Sequence, residues 1–190
     1  MNAPLILAST SPRRRTLLGQ LGIDFTVADA GVDEFQLDGE SPGDMTARLA
    51  REKAAAVYRR MGPHVRVLGG DTTVSIAEKA LGKPRDHRDA VAMLEQLSGA
   101  THAVYSAVTL CDDRGCRSLI SRTDVTFREL HADEIERYCL SGDPYDKAGG
   151  YGIQSGAAGF VTQIEGSYTG VIGLPLWQTH QLIFSLPARS

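Results

Sequence analysis

An α/β fold is expected for this chain, because strand-like and helix-like patterns alternate along it. Three observations carry that expectation. The apolar run Leu5, Ile6, Leu7 passes through a polar junction into a helix-like segment at residues 16–22. A capped helical pattern over residues 41–61 leads at once into the strand-like Val65, Arg66, Val67, Leu68. Two β-rich runs, residues 103–111 and 117–127, flank the turn sequence Asp112, Asp113, Arg114, Gly115, which predicts a long antiparallel hairpin.

The polar junction is the least ordinary stretch. Ser11 suits a helix N-cap and Pro12 suits the first helical position, so a helix should begin there and close near Gly22. Yet Arg13, Arg14 and Arg15 follow, at the positive end of the helix dipole, where acidic side chains are preferred. A basic triplet is ordinarily a solvated face of a surface helix. Here the Ser-Pro start places the arginines too specifically for that. Free N–H groups, the hydroxyls of Ser9 and Ser11 and three guanidinium groups together suit a polyphosphate.

Residues 24–27 read as a second short strand, followed by the acidic loop Gly31, Val32, Asp33, Glu34. Ser41 and Pro42 open the next helix, and Gly62-Pro63 stops it near Met61. Met45, Leu49, Ala56 and Val57 make its apolar arc, and Lys53 falls in the middle of it. Such a lysine either snorkels to the surface or carries its charge into a site; taken alone, snorkelling is the ordinary outcome. The strand at residues 65–68 is expected to end at Gly69, Gly70, Asp71, Thr72. Two readings of that end stand: a plain turn containing Asp71, or a place where a ligand approaches the backbone closely.

Gly82, Lys83, Pro84, Arg85 form a second basic loop, and Asp86 can cap a helix over residues 87–97. Residues 132–140 read as another helix, and residues 146–154 as a Gly/Tyr-rich loop. Gln154 in that loop either reads a base edge through its amide or is an ordinary polar loop residue. Phe160-Val161 and residues 168–172 look like closing strands, and residues 174–186, opened by Pro175, like a last helix. No repeat, low-complexity tract or linker divides the chain, so residues 1–190 are read as one domain.

Composition narrows the function. Apolar content of 42% and charged content of 23% describe an ordinary globular protein able to bury a core. A net charge of -3 gives no general attraction to nucleic acid or to a membrane. The absence of a signal-like segment, a membrane-length apolar run and a lipidation motif points to the cytoplasm. Cys111, Cys116 and Cys139 are odd in number with no CxxC pair, and read as reduced thiols. The five histidines lack metal-site spacing.

Two chemical sets remain. Arg13, Arg14, Lys53 and Lys83 are cations in structured places, enough to hold a triphosphate tail. Glu34 and Asp71 are carboxylates suited to a divalent ion, an activated water, or both. Phosphoryl cleavage needs little else. No GxxxxGK[ST] loop and no G-x-S-x-G elbow is present, which excludes a P-loop enzyme and an α/β-hydrolase nucleophile.

These residues stand in a pattern that resembles the Maf-type nucleoside triphosphate pyrophosphatases. The matching segments are residues 8–14, 33–34, 51–53, 70–72, 82–86, 97–99 and 146–154, in family order and spanning nearly the whole chain. The resemblance implies cleavage of the α–β bond of a nucleoside triphosphate, giving the monophosphate and pyrophosphate with a divalent metal, Mg or Mn. It implies an elongated mixed sheet flanked by helices, with two lobes around a cleft, like inosine triphosphate pyrophosphatases. By position it makes Asp71 the catalytic acid/base and Glu34, with Asp71, a metal partner. Ser9, Arg13, Arg14, Lys53 and Lys83 become phosphate-contacting groups. Arg13, Thr72 and Gln154 become the substrate-specificity positions, and Thr72 with the 151–154 segment matches the branch acting on dTTP and UTP. Gly70 departs from the alanine expected before Asp-Thr. The implied partners are a nucleoside triphosphate and no nucleic acid or membrane, with room for a homodimer. The alternative implied by the family is a nucleotide-binding regulator of septum formation whose hydrolysis is incidental.

Overall fold

A computed structural model of the chain describes residues 3–184. The N-terminal half contains β1 (Leu5–Leu7), α1 (Pro12–Gly19), β2 (Phe25–Val27), α2 (Pro42–Met61), β3 (Arg66–Ile76) and β4 (Lys79–Leu81). Then follow α3 (His87–Leu97), the hairpin of β5 (Thr101–Asp112) and β6 (Gly115–Phe127), and α4 (Ala132–Leu140). Three short 3-10 turns occupy much of residues 143–160, before β7 (Val161–Glu165), α5 (Tyr168–Ile172) and α6 (Leu176–Ile183).

The helices begin where their caps dictate. Ser41 Oγ accepts from the Asp44 amide at 3.1 Å, and Asp86 Oδ1 accepts from the Asp89 amide at 2.8 Å. Gly62, at φ 86°, stops α2. Among the described residues, seven strands form one mixed sheet, ordered β2-β1-β3-β5-β6-β7, with β4 paired to β3. β1 is parallel to β2 and β3, and every other pair is antiparallel.

Strand alternation sorts the core into two layers. Ile6, Val67 and Cys111 face α2, where they meet Ala54 and Val57. Leu5, Leu7, Leu68 and Leu110 face the other way, into a larger cluster with Leu17, Leu18, Leu94 and Leu182. α2 lies across β3, β5 and β6; α5 and α6 pack against β5 and β6. α3 and α4 pack together and support the 3-10 turns. The expected mixed sheet flanked by helices is therefore present, and a cleft runs between the β2-β1-β3 side and the 3-10 turns.

Four expectations change. The strand at residues 65–68 does not end at Gly69. β3 runs on to Ile76 because β5 pairs with every residue from Val67 to Ser75, and that pairing overrides the poor strand propensity of Gly and Asp. Residues 168–172 are helical, not a strand: Gly166 at φ 129° turns the chain away from β6, and Ser167 Oγ caps the new turn by accepting from the Gly170 amide at 3.0 Å. The strand before it starts at Val161 and extends to Glu165. The last helix spans Leu176–Ile183, and the expected continuation to Leu186 lies outside the described residues.

The fourth change concerns the thiols. Cys111 and Cys116 sit directly opposite each other in the β5–β6 register and form a disulfide, leaving Cys139 as the free, buried cysteine. A CxxC search misses a pair that a hairpin turn brings together. The cysteine-based ground for a cytoplasmic location falls with it. Among the described residues, no helix is long and apolar enough to cross a membrane.

Candidate active site

The cavity exists because two neighbouring strands differ in length. β1 pairs with β3 only over Arg66–Leu68, with one further bond from the Ala8 amide to Leu68 O at 2.8 Å. β4 takes up the same edge of β3 only from Val74. Between them, at the carboxyl end of β1 where the chain swings into α1, the β3 edge from Gly69 to Thr73 lies open. This is the kind of crevice in which α/β sheets bind ligands. A cavity of about 370 Å³ occupies it.

The buried chemistry starts from Gly69. A Cβ there would lie 2.4 Å from Ala50 O and 2.6 Å from the Ala54 amide nitrogen, so only glycine lets the α2 backbone come so close to β3. The pair of glycines thus serves a helix rather than a ligand at Gly69. That closeness brings Lys53 of α2 onto Asp71, two residues along the same face of β3. Lys53 is 5% exposed and Asp71 5%, and Nζ lies 2.6 Å from Asp71 Oδ1. Nζ also donates to Glu34 Oε1, which reaches in from the loop after β2. The lysine does not snorkel; it is held between two carboxylates. Burial pushes the Glu34 carboxyl up, but the bond and charge of Lys53, with Lys83 and Arg14, hold it below the usual glutamate value. Lys83 Nζ stands 3.9 Å from Glu34 Oε2 and is largely exposed.

The arginines at the start of α1 split by role. Arg14 turns inward, where Nε donates to Gly173 O at 2.9 Å and Nη1 to Ser9 Oγ at 3.3 Å. Burial lowers its pKa, opposed by the charges of Asp71 and Glu34, and lowered again by Arg13. Arg13 is paired: its Nη1 lies 2.7 Å from Asp146 Oδ2, on the Gly/Tyr-rich loop. Arg15 is exposed.

Thr72 points to the other face of β3, where Oγ1 lies 3.0 Å from Ser106 Oγ and donates to Gly173 O at 3.4 Å. In the loop, Tyr151 and Ile153 are buried and Gln154 is exposed. The Tyr151 hydroxyl lies 2.8 Å from His102 Nε2, anchoring the loop to β5.

Ser9, Arg13, Arg14, Glu34, Lys53, Asp71, Thr72, Lys83 and Gln154, the nine residues singled out in the sequence, all line this one cavity. Asp29, Asp146 and Lys147 line it too, and sequence reasoning gave them no role. Ser106 beneath Thr72 was also missed; a serine inside a β run carries no local signal. Asp146-Lys147 could have been flagged as charges beside a glycine-rich loop. Among the described residues, no group of three or more His, Cys, Asp or Glu could hold a metal by itself. Glu34 and Asp71 nonetheless converge on one cation, the Lys53 ammonium. Two carboxylates plus substrate phosphates are the usual ligands of Mg²⁺, so the pair fits such an ion.

Among solved structures, the chain resembles the Staphylococcus aureus Ham1 protein, with a TM-score of 0.47 and 11% identity over 65% of this chain and 71% of that one. Its curated relatives are far closer. It is 49% identical to the dTTP/UTP pyrophosphatase of Cupriavidus metallidurans, over 96% of each chain. It is 47% identical to the dTTP/UTP pyrophosphatase of Pseudoalteromonas atlantica, over 94% of this chain and 95% of that one. The motifs that converge on the cavity are spread from residue 8 to residue 154, and residues 4–186 match the family described as Maf-like protein. With both the site and the whole length of the fold accounted for in this way, the chain belongs to the Maf-like proteins.

Proposed function

We propose that this chain is a nucleoside triphosphate pyrophosphatase that cleaves dTTP and UTP to the monophosphate and pyrophosphate. The observation that carries the reading is the convergence of Asp71 and Glu34 on Lys53, beside Arg13, Arg14 and Lys83, in one cavity. The activity named for relatives nearly half identical over their full length supports it.

In this reading Ser9, Arg13, Arg14 and Lys83 receive the phosphate tail, Lys53 adds charge beneath it, and Asp71 takes the proton of the water that attacks the α-phosphorus. The bond from that phosphorus to the bridging oxygen breaks, and pyrophosphate leaves. Five cationic side chains line the cavity against four carboxylates, Asp29, Glu34, Asp71 and Asp146. That excess of one is too small to neutralise a triphosphate. A divalent cation, Mg or Mn, held by Glu34 and Asp71 would supply the missing positive charge and polarise the reacting phosphate. Gln154 meets the base, because one amide both donates and accepts and so matches the adjacent O4 and N3–H of thymine or uracil. Thr72 and Arg13 act with it in substrate choice. A cytoplasmic location is in keeping with such a substrate.

The test is product analysis. Purified protein with dTTP and Mg²⁺ or Mn²⁺ should release dTMP and pyrophosphate, with dTTP and UTP preferred over CTP, ATP and 7-methyl-GTP. Initial release of dTDP and orthophosphate would refute the bond assignment, and a purine preference would refute the base assignment.

A further inference from the structure

The turn that carries Gln154 is tied at both ends to one carboxylate outside the cavity. The Ser155 amide donates to Gly152 O at 3.1 Å, closing a turn with Ile153 and Gln154 at its corner. Asp143 Oδ2 accepts from Ser155 Oγ at 2.5 Å, which fixes the far end. The same oxygen accepts from the Tyr138 hydroxyl at 2.5 Å, and that hydroxyl accepts from the Gly152 amide at 3.0 Å, which fixes the near end. Asp143 Oδ1 meets Lys147 Nζ at 3.0 Å, Lys147 meets Asp146 at 2.6 Å, and Asp146 meets Arg13.

We propose that Asp143 is a positioning residue for base reading: its carboxylate pins the Gly152–Ser155 turn so that Gln154 is presented to the cavity preformed. The inference rests on the reading that Gln154 meets the base. The amide can flip about its own terminal bond, so what a fixed backbone supplies is reach: a preformed turn holds Gln154 at one depth in the cavity, whereas a mobile turn makes room for larger bases. Donors surround Asp143 in keeping with this role. Burial pushes its carboxyl up, but bonds from Ser155, Tyr138 and Lys147 outweigh burial and keep it ionised. Burial and then the bond to Asp143 push the Tyr138 phenol up, so it stays a hydroxyl that can donate to Asp143 and accept from Gly152. The chain through Lys147 and Asp146 further ties the turn to Arg13, so the two ends of the site share one hydrogen-bonded support.

The experiment uses Asp143→Asn, with Tyr138→Phe and Ser155→Ala as single-tie variants that carry the test should the first fail to melt cooperatively. Asn keeps the shape but loses the charge and one acceptor, so the kcat/KM ratio of dTTP to ATP should fall about tenfold. KM for dTTP should rise about tenfold while kcat changes less than about threefold, because Lys147 keeps its contact with Asp146 at 2.6 Å and the tie to Arg13 survives the substitution. Inhibition by tripolyphosphate, which has no base, should stay within about twofold of wild type. In the ligand-free protein, hydrogen exchange at the Gly152 amide should accelerate at least about tenfold as its acceptor is released. Unchanged Gly152 exchange together with unchanged base ratios in folded variants overturns the proposal. A wild type without base preference refutes the reading of Gln154 and with it the base-reading role of Asp143. The exchange rate tells that failure apart from failure of the pinned turn.

Discussion

On the proposed function, the pair Asp71 and Lys53 serves both fold and chemistry. Each is almost wholly shielded from water, and their contact at 2.6 Å is shared with Glu34. Asp71→Asn removes the charge needed to accept a proton, so turnover should fall at least about a hundredfold. The amide oxygen can still accept from Lys53 and Glu34 still supplies charge, so stability should fall by no more than about 2 kcal/mol. Lys53→Met should cost the fold more, about 3–5 kcal/mol, because it leaves a buried carboxylate without its partner. Turnover assays and denaturant unfolding on both variants check this. Near wild-type activity in Asp71→Asn would reduce Asp71 to a structural partner of the lysine.

The element that sets this geometry is the contact of α2 with β3, and two adjacent glycines separate its causes. Gly69→Ala must push back the α2 backbone at Ala50 and Ala54, which should cost at least about 2 kcal/mol and shift Lys53 relative to Asp71. Gly70 faces the opposite layer, where a Cβ would meet Ala107 O at 3.4 Å and both Arg14 Nε and Leu174 at 3.6 Å, all ordinary contact distances that leave Arg14 in place, and its φ is not positive. Gly70→Ala should therefore keep activity and gain about 0.4–1 kcal/mol from the unfolded chain. Unfolding midpoints and dTTP turnover of the two variants should move apart in this way; equal losses would mean that both glycines are there for the ligand. The helices of this region were legible because Ser41, Pro42, Asp86 and Gly62 are local signals. The length of β3 was not, since only pairing with β5 carries it past Gly69.

At the scale of the molecule, acid sensitivity should track one buried ring. His102 packs edge-on to Phe127 and Tyr151, with centroids 5.0 and 5.4 Å away, and joins β5 to the loop that bears Gln154. Burial, only partly offset by the charge of Asp124, lowers its pKa to about 4. The unfolded chain binds that proton more readily than the folded one. The stability contributed is thus complete above about pH 6.5 and is lost as pH falls toward 4, by on the order of 3 kcal/mol. His102→Gln keeps a polar partner for Tyr151 and cannot titrate. Urea unfolding at pH 7.5, 5.5 and 4.5 should show a shallower loss in the variant, whereas equal slopes would assign the acid response to the carboxylate pairs.

The chain's own order of residues determined the α/β class, the places where α1 to α4 begin, and the chemical set of cations and two carboxylates. These are short-range properties, written in caps, periodicity and residue type within a turn or two. Tertiary structure alone decided how that set is used. Lys53 became a buried counter-ion because Gly69 lets α2 approach, and Arg13 found its partner 133 residues away in Asp146. Residues 168–172 became a helix because Gly166 left the sheet, and Cys111 met Cys116 because the hairpin register faced them. Each of these outcomes depends on contacts between distant segments, whose energies no local pattern records.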